Sequence, residues 1–230
     1  MSRPLALVTG ASRGIGRAIA TDLARTHDVL LAGRTRESLD EVAAGLDGAS
    51  ALVLDVADEA SVDAVDVPDR LDVLVHAAGI SRGGDVDEVS RGDWRAVFET
   101  NVFGVAHLTA RLLPALRTAG GTVVLVNSGA GLFSTPGGGI YSGSKFALRT
   151  FGDTLREEER AHGVRVVSVH PGIVDTDMGR GALEKHDDPR PERMIDPTTI
   201  ATAVRTAVDA PPEATFETIS VRPTQDPRGD

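Results

Sequence analysis

The chain has 230 residues, 41% of them hydrophobic, enough to bury the core of one large domain. Its formal net charge of −10 weighs against a nucleic-acid surface, and the absence of cysteine removes disulfides and thiolate metal sites. No linker or charge block divides residues 1–230, no apolar run approaches a membrane span, and MSRPLALVTG reaches glycine before a secretory-type segment could form, so a single cytoplasmic domain with no metal is expected.

Short β-rich runs alternate with helical patterns along the chain. LALVT (Leu5 to Thr9) leads through TGASRGIG into a helix, VLLAG (Val29 to Gly33) leads into ESLDEVAAGL, ALVLDV starts at Ala51 and LDVLVHA at Leu71. A long helical stretch around WRAVFETNVFGVAHLTARLLPAL precedes TVVLVNS (Thr122 to Ser128), and another helix runs through YSGSKFALRTFGDTLREEERA before VRVVSVHPG. A polar segment, a helix at PTTIATAVRTAV and a last strand, TISVRP, follow. Strands apolar on both faces and joined by helices specify a doubly wound α/β domain: seven strands, mostly or wholly parallel, with helices on both faces. Right-handed crossovers then set all strand C-terminal ends on one edge, where ligands bind.

The first such end is TGASRGIG, Thr9 to Gly16, a glycine-rich turn between a strand and a helix. Gly10, Gly14 and Gly16 permit a tight turn and close approach of a diphosphate, and the helix N-terminus that follows Ser12, Arg13 and Ile15 offers N–H groups and a favourable dipole. This is a Rossmann-type dinucleotide site in its context. The second strand ends in Arg34 where an acid normally holds the ribose hydroxyls, and Arg13 lies within the turn. Two guanidinium groups and no acid favour the 2′-phosphate of NADP(H) over NAD(H). At the third strand's end Asp55 is placed to accept from the adenine amino group or to cap the next helix, and Val56 to offer backbone contacts. Ala77, Ala78 and Gly79 of HAAG let a cofactor lie against the backbone, while His76 reads as structural.

Ser128 ends the fifth strand, and Tyr141, the chain's one tyrosine, begins the next helix thirteen residues later. Lys145, one of two lysines with Lys185, follows one helical turn on. A phenol with a pKa of about 10 is a poor base at neutral pH, but an ammonium within ~4 to 6 Å favours the phenolate and lowers that value. A serine hydroxyl beside the pair can hold a substrate oxygen while the proton moves. With a nicotinamide as hydride carrier, the chemistry is interconversion of a carbonyl and an alcohol.

TGASRGIG, HAAG, NVFG at Asn101, Ser128, YSGSK and PGIVDT (Pro171 to Thr176) stand in the order and spacing of the short-chain dehydrogenase/reductase family, which the chain resembles over nearly its whole length. The resemblance implies Tyr141 as acid/base, Lys145 lowering its pKa and binding the nicotinamide ribose, Ser128 polarising the substrate oxygen, and Asn101 holding a water that links Lys145 to solvent. It also implies that Pro171, Gly172, Val174 and Thr176 line the nicotinamide, and that the chain pairs as a homodimer or homotetramer through the long helices after Ser90 and Tyr141. HAAG departs from the family's NNAG-like pattern by lacking both asparagines, and the helix after Val56 is short.

Residues 177–195, polar with two glycines and two prolines, read as a substrate lid. Phe133, Ile140, Met178 and Met194 are candidate apolar walls for a small carbonyl or alcohol substrate, and an NADP preference points to reduction. Two other readings are a non-catalytic NADP(H)-sensing protein on the same fold and a methyltransferase.

Overall fold

The computed structural model describes residues 3–184 and 186–229. Strands β1 (Leu5–Thr9), β2 (Asp28–Gly33), β3 (Ala49–Val53), β4 (Val73–His76), β5 (Thr122–Val126), β6 (Arg165–Pro171) and β7 (Thr218–Val221) form one sheet in the order β3-β2-β1-β4-β5-β6-β7. Every pairing is parallel. The connections are helical: α1 (Gly14–Leu23), α2 (Arg36–Ala43), α3 (Glu59–Asp63), α4 (Arg91–Phe98), α5 (Gly104–Ala119), α6 (Gly139–Glu159), α7 (Asp177–Leu183) and α8 (Pro197–Val208).

The strands bury both faces because alternate residues serve opposite cores. Ala6, Val8, Val124 and Val126 face a cluster with Ile19, Leu23, Leu39 and Val204 of α1, α2 and α8. Leu7, Val123 and Leu125 face a second cluster with Val62, Leu108, Leu112, Leu148 and Leu155 of α3, α5 and α6. The outer strand β3 stops at Val53, earlier than the apolar run ALVLDV suggests, and Val53 itself is exposed. Asp55 and Val56 therefore lie beyond the sheet, in the turn toward a five-residue α3. Likewise β5 stops at Val126, so that Ser128 stands past the strand end and caps a short 3-10 turn, Gly129–Gly131.

Between α4 and α5 the chain makes one stretch of π-helix, Glu99–Phe103, with Asn101 at its centre. Such an insertion changes which way a helical side chain faces, a device frequent at functional sites. The glycine of NVFG has a steric reason: a Cβ on Gly104 would lie 1.8 Å from the Val56 carbonyl oxygen. The helix thus packs backbone to backbone on the turn after β3.

The polar segment after β6 is tied down at its base. Thr176 caps α7 by accepting from the Gly179 N–H at 3.1 Å, and the segment's far end returns to its start, Asp175 N–H donating to the Ile195 carbonyl at 2.8 Å and Ile195 N–H to that of Ile173 at 3.0 Å. Residues 177–195 thus form a loop closed at its base around a helix, because Thr176, Asp177 and the short apolar pair Ala182–Leu183 suit a capped turn of helix. Lys185 lies outside the described residues.

Candidate active site

The strand order reverses direction between β1 and β4, and a crevice opens at their C-terminal ends. Gly10 follows β1 with φ +66°, a backbone region that disfavours side chains, and a Cβ there would come within 2.9 Å of the Ala78 backbone. The Thr9 hydroxyl accepts from the N–H groups of Ala77 and Ala78, both at 3.1 Å, tying the turn after β1 to that after β4. A Cβ on Gly16 would strike the Gly10 carbonyl oxygen at 2.2 Å, so only glycine lets α1 rise so close to the turn. The N-terminus of α1 has no side-chain cap and no acidic residue in its first turn, which leaves its N–H groups free for an anion.

Arg34, just past β2, is exposed and has no hydrogen-bond or ion-pair partner among the described residues. Arg13 differs: its guanidinium pairs with Asp177 at 2.7 Å, joining the glycine turn to α7. Asp55 accepts from the Ala57 N–H at 3.0 Å in a local turn, and the helix cap is Asp58 instead, which accepts from the Ala60 N–H at 3.2 Å.

Tyr141 lies in the first turn of α6, and Lys145, one turn on, is only 4% exposed. Its Nζ donates to the Val126 carbonyl at 3.0 Å and stands 5.7 Å from the Tyr141 ring centre. Burial opposes both charges: the Lys145 ammonium is pushed down to about 8, and the Tyr141 phenol is pushed up, with the Ser128 hydroxyl pulling the other way. In the chain by itself desolvation of the buried ring dominates the phenol.

The Ser128 hydroxyl accepts from the Ala130 N–H at 3.1 Å, and its carbonyl accepts from Nδ1–H of fully buried His170 at 2.9 Å. Asn101 is buried with its amide fully engaged, donating to the Ile80 carbonyl at 2.9 Å and to the Ser144 hydroxyl at 3.0 Å while Oδ1 accepts from the Ile80 N–H at 2.9 Å. A relay water at this position must therefore use the second Oδ1 lone pair or the main chain. His76 is structural: burial drops it to about 3, and Nε2–H donates to the Thr109 hydroxyl at 2.8 Å, which itself donates to the Val105 carbonyl. A neutral imidazole is what that buried place tolerates.

A cavity of about 320 Å³ opens at this edge. Of the residues singled out in the sequence it gathers Ile15, Ser128, Tyr141, Pro171, Gly172, Val174 and Thr176. Phe133 and Met178 line it, whereas Ile140 is buried within α6 and Met194 lies elsewhere, because α7 puts Met178 rather than the far end of the loop against the opening. Sequence reading missed the C-terminal tail: Arg222, Pro223, Asp226 and Arg228 also line the cavity. The signal was present, since TISVRP ends a parallel strand and so delivers Arg222 to the same edge as Ser128.

A family model described as short chain dehydrogenase matches residues 4–187. The uncharacterized oxidoreductase YusZ of Bacillus subtilis is 38% identical over 194 residues, 80% of this chain and 69% of that protein. An alcohol dehydrogenase from the archaeon Thermococcus sibiricus, solved complexed with 5-hydroxy-NADP, superposes with a TM-score of 0.86 at 30% identity, covering 97% of this chain and 98% of that one. The closed form of a serine dehydrogenase complexed with NADP+ gives 0.85 at 28% identity, covering 94% of each chain. The chain belongs to the short-chain dehydrogenase family of oxidoreductases.

Lys145 carries a pH signature in the unliganded protein. Below about pH 8 both folded and unfolded chains hold its proton, and the folded state bears the full cost of a buried ammonium. Between about 8 and the ordinary value of 10.5 the folded state has released the proton and the unfolded state has not, so folding stability rises with pH across that window. Urea unfolding of the wild type should therefore gain on the Lys145→Met variant by on the order of 3 kcal/mol from pH 7.5 to 10.5. A constant difference between the two proteins would mean that the ammonium is not destabilised by burial.

Proposed function

We propose that the chain is an NADP(H)-dependent oxidoreductase that interconverts a carbonyl and an alcohol, with Tyr141 as proton donor and acceptor. The observation that carries this reading is that Ser128 and Tyr141 share the wall of one cavity while Lys145 and Asn101 are buried beside them. The crevice fits a dinucleotide: the turn at Gly10 leaves no room for a Cβ against Ala78, and the α1 N-terminus is uncapped. Gly10, Ser12, Gly14, Ile15 and Gly16 would hold the diphosphate, Arg34 with Arg13 the 2′-phosphate, and Asp55, Val56 and Ala77 to Gly79 the adenosine side. Lys145 would hold the nicotinamide ribose, with Pro171, Gly172, Val174 and Thr176 along the nicotinamide. When bound, the nicotinamide supplies or removes the hydride at the reacting carbon.

The chain's own groups manage the oxygen. The Ser128 hydroxyl donates a hydrogen bond to the substrate oxygen. Tyr141, a phenol protonated at neutral pH, transfers its proton to that oxygen during reduction and recovers it from the alcohol in reverse. The Lys145 ammonium, close to the ring, stabilises the phenolate that remains. The loop 177–195 serves as the substrate lid, its Arg13–Asp177 pair linking it to the cofactor turn.

Among the described residues no helix is long and apolar enough to cross a membrane. The cytoplasm suits a soluble enzyme of this kind, and pairing of two copies is supported by exposed rings on neighbouring helices. Trp94, Phe103 and Phe146 are 38%, 54% and 40% exposed, and Phe98 bridges the first two with ring centres 5.9 and 6.2 Å away.

Tyr141→Phe should retain NADPH binding, followed by cofactor fluorescence, and lose about 1000-fold or more in turnover across a panel of ketones and aldehydes; unchanged turnover would overturn the mechanism. Arg34→Asp should weaken NADPH far more than NADH in the same titration, and equal loss for both would remove Arg34 from the 2′-phosphate site. Sedimentation of the wild type should show a dimer or tetramer that Phe103→Glu dissociates, and a wild-type monomer at micromolar concentration is the result against it.

A further inference from the structure

Among the described residues three charged side chains line the cavity, Arg222, Asp226 and Arg228, and two of them cancel. Arg228 grips Asp226 through both carboxylate oxygens, Nε to Oδ1 at 2.9 Å and Nη2 to Oδ2 at 2.6 Å. Arg222 has no hydrogen-bond or ion-pair partner among the described residues, which leaves the cavity one net positive charge in a chain whose overall charge is −10.

That charge is held in place by the fold. Arg222 follows β7 directly, with Val221 accepting from the Gly172 N–H at 2.7 Å on one side and Pro223 packed on Gly172 on the other, so closely that a Cβ there would meet the proline ring at 2.6 Å. The guanidinium lies over the Phe133 ring, 5.1 Å from its centre. Phe133 in turn packs on Gly129, its ring edge 3.3 Å from where a Cβ would stand, and Gly129 is next to Ser128. An aromatic ring therefore separates the free guanidinium from the residue that would hold the substrate oxygen.

We infer that the substrate carries a carboxylate a few bonds from the reacting carbonyl, and that Arg222 binds it: the chain acts on short oxo acids and the corresponding hydroxy acids. This rests on the oxidoreductase reading above. A planar guanidinium already oriented by an aromatic ring matches a carboxylate through two parallel hydrogen bonds, and a single uncompensated charge balances a monoanion. The apolar wall of Phe133, Met178 and Pro223 accommodates the short carbon chain between the two groups.

The test uses the full-length protein with NADPH and a matched pair, 3-oxobutanoate and its methyl ester, which differ in charge but share the carbonyl. The wild type should favour the acid in kcat/KM, and Arg222→Gln should lower the acid-to-ester ratio by about tenfold or more, with Arg222→Lys between them. NADPH affinity, measured in parallel, should be the same in all three proteins. An acid-to-ester ratio equal in wild type and Arg222→Gln, or NADPH binding weakened as much as acid turnover, overturns the carboxylate site while leaving the reductase reading intact. If neither compound is reduced, the reductase reading is what fails, and calorimetry of 3-oxobutanoate then decides the site: binding that Arg222→Gln abolishes supports it, and binding absent or indifferent to the substitution ends it.

Discussion

The hydrogen bond from Lys145 Nζ to the Val126 carbonyl fixes the geometry on which the candidate site depends. It fastens the first turns of α6 to the end of β5, and so brings Tyr141 alongside Ser128 although thirteen residues separate them. An ammonium 4% exposed is expensive to keep, and one backbone carbonyl offsets only part of its lost hydration. Its retention is intelligible if the charge is wanted beside a phenol that must lose its proton.

Around that bond the rigid parts are backbone contacts. Gly10 against Ala78, Gly16 against the Gly10 carbonyl and Gly104 against the Val56 carbonyl each bring two segments closer than a side chain would allow. Together they pack α1 on β1 and the π-helical junction on the β3 turn. Asn101 follows from the second of these, since the π-helix carries it inward, where its amide clamps Ile80 from α5's side and meets Ser144 of α6. His170 does a comparable service for Ser128, holding its carbonyl from β6. The polar groups that would do chemistry are thus each held by a neighbour that would not.

Electrostatics divides the edge into two regions. At the glycine turn the uncapped helix and Arg34 present unpaired positive character, whereas Arg13 is neutralised by Asp177. At the cavity Arg228 neutralises Asp226 and leaves Arg222. In a chain with net charge −10, Arg34 and Arg222 thus place unpaired positive charge on this edge.

The sequence by itself determined a seven-stranded sheet, mostly or wholly parallel, and the edge where the site would lie, because buried strands and amphipathic helices are written in local periodicity. It also singled out Ser128, Tyr141 and Lys145, since residue types that rare at that spacing are a local signal. Tertiary structure decided what depends on neighbours distant in the chain. Only packing shows that burial raises the Tyr141 phenol, that Asp177, from the segment after β6, occupies Arg13, and that Asp58 rather than Asp55 caps α3. Only the parallel pairing of β7 with β6 sets Arg222 against Phe133, 89 positions earlier in the chain, and desolvation and charge pairing are properties of that assembled edge rather than of any segment in it.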